Sequence, residues 1–238
     1  SGPLALADFA GYSVCHRIGQ RSFSIAGRQM PLCARCTGMY LGVSLTFALL
    51  ALAGRGRRAG LPRGRALLLL AGLLVVMGVD GLNSYSHFFP SLPHLYAPRN
   101  WLRLATGMGG GVALGMIVWP LLSQTLWRQT NPRPPLGSPA EWASLFGLAA
   151  GAVLLVLSNE PLLLYVLALV SALGVLAILT AIYTVFALAI SGRIGQATSW
   201  PGAAGPLVAG LALALAQIGA VAFVRYSLTG VMAGLPGV

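Results

Sequence analysis

Six apolar runs, each long enough to cross a bilayer, constrain this chain more than any other feature in it. They fall at about 37–54, 66–84, 103–124, 141–158, 161–190 and 205–226. Crossing roughly 30 Å of hydrocarbon takes about 20 helical residues. The fifth run exceeds that and is expected to tilt or to continue beyond the membrane. In lipid every backbone N–H and C=O must be satisfied internally, so only helices or closed barrels span. The alternating pattern of an outer-membrane barrel is missing, and the expected fold is an all-α integral membrane protein, a bundle of about six transmembrane helices. Composition agrees: 8% of residues are charged, against about 25% in a soluble domain.

The connections are short and rich in breakers: GRGRRAGLPRGR (54–65), PSLPHLYAPRN (90–100) and TNPRPPLGSP (130–139). No soluble domain fits between the spans and no fixed-period repeat stands out, so residues 1–238 read as one transmembrane domain, with 141–238 as scaffold spans. The first fourteen residues lack a basic start and a long apolar run. The first span is therefore expected to act as its own insertion signal, and Ser1-Gly2-Pro3 is set aside as a tag scar.

Fifteen arginines face four acids with no lysine, for a formal charge of +11. No nucleic-acid module accompanies them, and no nucleic-acid partner is expected. Loop arginines set topology and meet anionic headgroups, and the guanidinium grips phosphate or carboxylate with two prongs. Two crossings return the chain to its starting side, so the segment at 15–40 and the loop at 80–107 share one membrane face. That face holds Arg17, Arg21, Arg28, Arg35, Arg99, Arg103 and Arg225. The other holds Arg55, Arg57, Arg58, Arg63, Arg65, Arg128, Arg133 and Arg193. With the first set reserved for a ligand, the five-arginine loop at 54–65 points to the cytoplasm. The expected location is a cell (inner or plasma) membrane, with the 15–40 face extracytoplasmic.

All three cysteines lie in CHRIGQRSFSIAGRQMPLCARCTGMY (15–40). Cys15, His16, Cys33 and Cys36 make a three-thiol, one-imidazole set with usable spacing for zinc, which favours tetrahedral thiolate and imidazole ligation; zinc stands ahead of iron. The same Cys33-x-x-Cys36 pair suits thiol redox chemistry, and an oxidising compartment would support a disulfide. Cysteines at a helix entrance also serve as small packing residues.

Asp80 ends the run LLLLAGLLVVMGVD. An ionisable group at membrane depth is expensive and marks a site by default. Asn83, one turn on, shares its face; Asp80 and Asn83 are the candidate catalytic pair, and Asp80 with Arg103 a candidate ion pair. Asn100 is a candidate N-cap beside Arg103, at a helix start suited to anions. Arg17, Arg21, Arg35, Asn100 and Arg103 are thus the candidate substrate-binding residues. Arg99 reads as a snorkelling side chain. His87 and His94, among aromatics, read as an interfacial belt.

These residues resemble an uncharacterised polytopic membrane protein family, domain of unknown function 2085. The resemblance rests on Cys15-His16, Arg21-Ser22-Phe23, Gly27 and Pro31 through Gly38, then Asp80-Gly81, Asn100, Arg103-Leu104 and Thr106-Gly107. It implies that the two motifs belong together and lends no activity.

The leading expectation is a membrane site in which a metal and the arginines act on an anionic amphiphile or lipid headgroup; whether it is an enzyme is left open. Membrane lipids are the expected partners, with an oligomer or larger complex allowed. The alternatives are a CxxC redox protein, a transporter or channel, and a non-catalytic subunit of a membrane complex.

Overall fold

The computed structural model describes residues 2–89, 91 and 93–231. Among them, six helices are long and apolar enough to cross a membrane. They are α2 (Ala34–Leu52), α3 (Arg65–Ser86), α4 (Asn100–Leu126), α5 (Pro139–Leu157), α6 (Pro161–Ile190) and α7 (Trp200–Thr229). A shorter helix, α1 (Pro3–Val14), comes before them. Hydrophobic length alone gives no element there: twelve residues rise only about 18 Å, too little for a span. Pro3 in its first turn suits a helix start. Its buried Ala7, Ala10, Gly11 and Tyr12 lie on the side that packs against α6 and α7.

Between α1 and α2 the chain makes a 3-10 turn at Gly19–Arg21 and a two-stranded hairpin, β1 (Ser24–Ile25) with β2 (Arg28–Gln29), paired Ser24 to Gln29 and Ile25 to Arg28. Ala26 and Gly27 both have positive φ, 47° and 84°, which is what a two-residue hairpin loop demands. Gly27 meets this at no steric cost and Ala26 does not.

The centre of the bundle is the α2–α4 pair. Gly38 and Gly42 on α2 face Gly107 and Gly111 on α4, at i, i+4 spacing on each helix. A Cβ on Gly107 would run into the Arg35 carbonyl, and one on Gly111 into that of Met39. Without a hydrophobic drive between helices in lipid, such backbone-to-backbone approach is what holds spans together. The apolar core follows from it, with Leu41, Leu104, Val112 and Met116 essentially inaccessible. α3 joins this core through Leu70, while its outer face and that of α7 expose Leu68, Val75, Leu82, Val208, Leu215 and Phe223, the side chains lipid would wet.

Helix starts differ from the expected ones in ways that matter for the site. α2 starts at Ala34 with Cys33 as its N-cap residue, which puts Arg35 and Cys36 in the first turn. α4 takes Arg99, not Asn100, as its N-cap residue; the Asn100 amide instead donates to the Gln20 carbonyl at 3.1 Å. α6 matches its expected limits, and its 30 residues rise about 45 Å, consistent with tilt or an extension beyond the membrane.

Two sets of loops gather at opposite ends. At one, Ala59 N–H donates to Asn131 O at 2.8 Å and Arg128 N–H to Ala197 O at 2.9 Å. At the other, the segment joining α1 to α2 meets the start of α4 and the end of α7.

Candidate metal centre and arginine network

Three thiols converge where α1 ends and α2 begins. Cys15 caps the C-terminal end of α1, its N–H donating to Gly11 O at 2.9 Å. The chain reverses through Arg17, held at φ 53°, and Cys33, eighteen residues on from Cys15, donates its N–H to the Cys15 sulfur at 3.3 Å. Ligand atoms of Cys15, His16 and Cys33 lie within 4.8 Å of one another. Cys36, one turn into α2, brings its thiol to the sulfurs of Cys15 and Cys33. All three cysteines are free thiols, and Cys15 and Cys33 are buried. Hydrogen bonds from Cys33 and then Cys36 outweigh burial and hold the Cys15 thiol well below its usual range, toward the thiolate. The thiolate is the form of cysteine that acts as nucleophile or metal ligand.

His16 is placed differently. Its Nδ1 accepts from the Ile18 N–H at 3.2 Å. A neutral imidazole has one lone pair to offer. Ligation through either nitrogen therefore requires this bond to open, directly at Nδ1 or by moving the proton onto Nδ1. A thiolate sulfur, by contrast, keeps further lone pairs when it accepts an N–H, as Cys15 does from Cys33.

The segment is held by residues that sequence spacing does not single out. Asp8 in α1 pairs with Arg17 at 2.7 Å and Arg28 at 2.5 Å. Arg225, near the end of α7, donates through Nη1 to the carbonyls of Tyr12 and Cys15, both at 2.6 Å, and through Nη2 to His16 O at 3.2 Å. Its guanidinium carbon also sits 4.2 Å from the centre of the Tyr12 ring. The scaffold spans thus reach the cysteine segment directly. The one hint in the sequence is an arginine at the end of a span that shares the motif face.

The second motif meets the first through Asp80. Its side chain is 1% exposed and pairs with Arg35, whose Nε donates to Oδ2 at 3.0 Å and whose Nη2 also reaches the Asp80 carbonyl at 3.0 Å. Tyr96 Oη donates to Oδ1 at 2.9 Å and Thr106 Oγ1 to Oδ2 at 3.3 Å. The expected ion pair of Asp80 with Arg103 is replaced by this one, because Arg35 in the first turn of α2 reaches the carboxylate. Arg103, 6% exposed, donates instead to Asn100 Oδ1 at 3.0 Å and to Ser84 Oγ at 3.4 Å. Ser84 also accepts from Arg35 at 2.8 Å and so bridges the two arginines. Asn83 serves the loop: its amide donates to Tyr96 O at 3.0 Å and its Oδ1 accepts from Leu95 N–H at 2.9 Å. His87 and His94 stack at 3.9 Å between ring centres.

Arg21 lies with its guanidinium 4.0 Å over the Phe88 ring. Burial and then the charge of Arg35 lower it from its ordinary value, while Cys33 opposes them. Arg21, Arg35 and Arg103 thus crowd beside the thiols, with Asp80 the only carboxylate paired to any of them among the described residues.

Six membrane-length helices closed over a Cys/His/Arg cluster define a multi-pass membrane protein. The chain belongs to the family of predicted membrane proteins DUF2085, whose pattern matches residues 15–117. An uncharacterized protein of Methanothermobacter thermautotrophicus is 35% identical over 105 residues, covering 44% of this chain and 83% of that protein. An uncharacterized protein of Methanocaldococcus jannaschii is 28% identical over 127 residues, covering 53% of this chain and 75% of that one. No solved structure matches. The family match contains both motifs and ends within α4, so Arg225 lies outside it.

Proposed function

We propose that this protein holds a transition metal, zinc before iron, on Cys15, Cys33 and Cys36 with His16 as the exchangeable fourth ligand, beside an arginine pocket for an anionic amphiphile. The observation that carries the reading is the convergence of ligand atoms from Cys15, His16 and Cys33 within 4.8 Å, joined by the Cys36 thiol. Tetrahedral thiolate and imidazole donors are what zinc selects. A divalent ion on three thiolates and a neutral imidazole is a net anion, which gives the neighbouring Arg21 and Arg103 a counter-charge that Asp80 does not supply.

In this reading Arg21, Arg35 and Arg103 hold the phosphate or carboxylate head, since guanidinium groups bind such oxyanions in pairs. Asp80 fixes Arg35 in place, Asn100 and Ser84 orient Arg103, and Asn83 closes the loop that carries Tyr96. Arg17 acts indirectly, through Asp8. If His16 yields its position, the metal gains the open site that Lewis-acid chemistry needs. The reading also puts this face outside the cell. With Arg21, Arg35 and Arg103 committed to the ligand and Arg17 and Arg28 to Asp8, the five-arginine loop at 54–65 serves as the topology marker.

The deciding experiment is metal content and free-thiol count on detergent-purified protein, wild type beside Cys33→Ser and His16→Ala. The expected result is one metal per chain in the wild type, lost in Cys33→Ser and weakened in His16→Ala. Protein without metal and with two thiols oxidised would overturn the metal reading in favour of thiol redox chemistry. For the anion pocket, a short-chain phosphatidic acid should bind wild type and fail to bind Arg103→Gln.

A further inference from the structure

The end of the bundle opposite the thiols carries a second feature, independent of the metal reading. Trp119, Trp127 and Trp200 meet there around a cavity of about 380 Å³, closed by Ala51, Gly54, Gly56 and Arg57. The indole N–H of Trp127 donates to Gly56 O at 2.9 Å and that of Trp119 to Arg55 O at 3.0 Å, so the loop after α2 fixes two of the three rings. Trp200 stands edge-on to Trp127 with ring centres 4.9 Å apart. Arg57 lies 5.0 Å over the Trp127 ring and donates to Thr198 O at 2.9 Å. Its neighbour Arg55 is paired with Glu141, whereas Arg57 has no carboxylate partner among the described residues.

Trp119 is also a wall of a second cavity, an apolar groove of about 440 Å³ lined by Phe47, Leu176, Leu207 and Leu211 among others. Trp200 opens α7 at this end, and Leu211 lies eleven residues further along the same helix, about 16 Å into the bundle. That depth is roughly one leaflet of hydrocarbon. The two cavities, a cationic, indole-lined mouth at the end of the bundle and an apolar groove beside it, share Trp119 as a wall, and we take them together as one candidate site.

We propose that this site binds a single anionic phospholipid, with its phosphate at Arg57 and one acyl chain in the groove past Trp119. Charge selects this occupant. Arg55, Arg57, Arg58, Arg63, Arg65, Arg128, Arg133 and Arg193 share this face with Glu141 as their acid, and anionic lipid is drawn to such clusters. The groove alone would take any acyl chain; the mouth adds the preference for a net negative head. Indole rings fixed by backbone hydrogen bonds lose little freedom when the lipid arrives.

Brominated acyl chains quench tryptophan on contact, and three of the chain's five tryptophans line the mouth. The full chain is reconstituted in phosphatidylcholine vesicles, and brominated phosphatidylglycerol is compared with brominated phosphatidylcholine at equal mole fraction. The expected result is several-fold preferential quenching by the anionic lipid, abolished in Arg57→Gln and retained in Arg63→Gln, whose side chain lies outside the cavity. Equal quenching by the two lipids overturns the proposal. So does a preference that survives Arg57→Gln, or one lost equally in Arg63→Gln, which would reduce the effect to diffuse surface charge. Native mass spectrometry gives a second readout: phosphatidylglycerol retained through delipidation by the wild type and by Arg103→Gln but lost from Arg57→Gln supports the site, and equal retention in wild type and Arg57→Gln overturns it.

Discussion

Asp80 and Arg35, 45 residues apart in the chain, form a buried ion pair that joins the end of α3 to the first turn of α2. This pair makes the two motifs one structure. The carboxylate has four donors around it, from Arg35, Tyr96 and Thr106, and is a clamp before it is an acid or a base. Removing one partner of a buried pair strands a charge in low dielectric, at a cost of about 3–5 kcal/mol. Asp80→Asn and Arg35→Gln should each lower the unfolding temperature in detergent, and the double variant should recover part of the loss. Strictly additive losses in the double variant would show that the two groups are not coupled.

The α2–α4 contact gives a sharper packing test. Gly111 and Gly107 face backbone carbonyls across the contact, whereas Gly72 and Gly78 on α3 have nothing within 4 Å of the point a Cβ would occupy. Overpacking of a tight interface costs about 1–3 kcal/mol. Gly111→Ala and Gly107→Ala should therefore destabilise the protein, while Gly72→Ala and Gly78→Ala should leave it unchanged or stabilise α3, alanine being the better helix former. Thermal unfolding of the four variants checks the contrast. Equal effects at all four positions would sink the backbone-contact account.

Most of the spans were legible because hydrophobic length is a one-dimensional signal: roughly 20 apolar residues can do little else in lipid. The thiol cluster was legible for a different reason: the CxxC spacing keeps Cys33 and Cys36 close wherever the helix begins, and Cys15 shares their membrane face. What the sequence concealed depends on which helix sits beside which. Arg35 and Arg103 are both arginines on the correct face, and only the close α2–α4 approach at Gly38 and Gly107 puts the former on Asp80. Helix α1 was too short to register as a span, and with it went Asp8 as the partner of Arg17 and Arg28.

Tyr96 offers a test of the clamp by pH. Burial, followed by its hydrogen bond to Asp80 and that group's charge, raises its phenol above the ordinary value, because ionisation would place a second negative charge beside the carboxylate. A raised folded-state value means the neutral phenol is favoured by folding. The loop's contribution is thus complete below the unfolded-state value, about pH 10, and is lost as pH rises through the higher folded-state value. The difference ultraviolet titration of wild type against Tyr96→Phe isolates this phenol among seven tyrosines. The expected midpoint lies above that of a free tyrosine and moves down in Asp80→Asn. A midpoint insensitive to Asp80→Asn would separate the phenol from the carboxylate.

Arg225 tests whether the scaffold spans tune the metal centre without supplying a ligand. Its guanidinium holds the carbonyls of Tyr12, Cys15 and His16, and so fixes the backbone from which two proposed ligands project. Groups that orient ligands typically contribute about 10–100-fold in metal affinity. Arg225→Gln should keep all three thiols and still bind metal, but release it to a competing chelator at concentrations lower by a comparable factor. Arg225→Lys should rescue only part of the loss, since a single ammonium cannot reproduce the fork that reaches three carbonyls. An Arg57→Gln control, altered at the far end of the bundle, should retain wild-type affinity. Chelator titration followed by metal release decides the matter. Unchanged affinity in Arg225→Gln would confine the centre to the 15–40 segment alone, whereas weakened affinity with an intact thiol count would make the end of α7 part of its architecture.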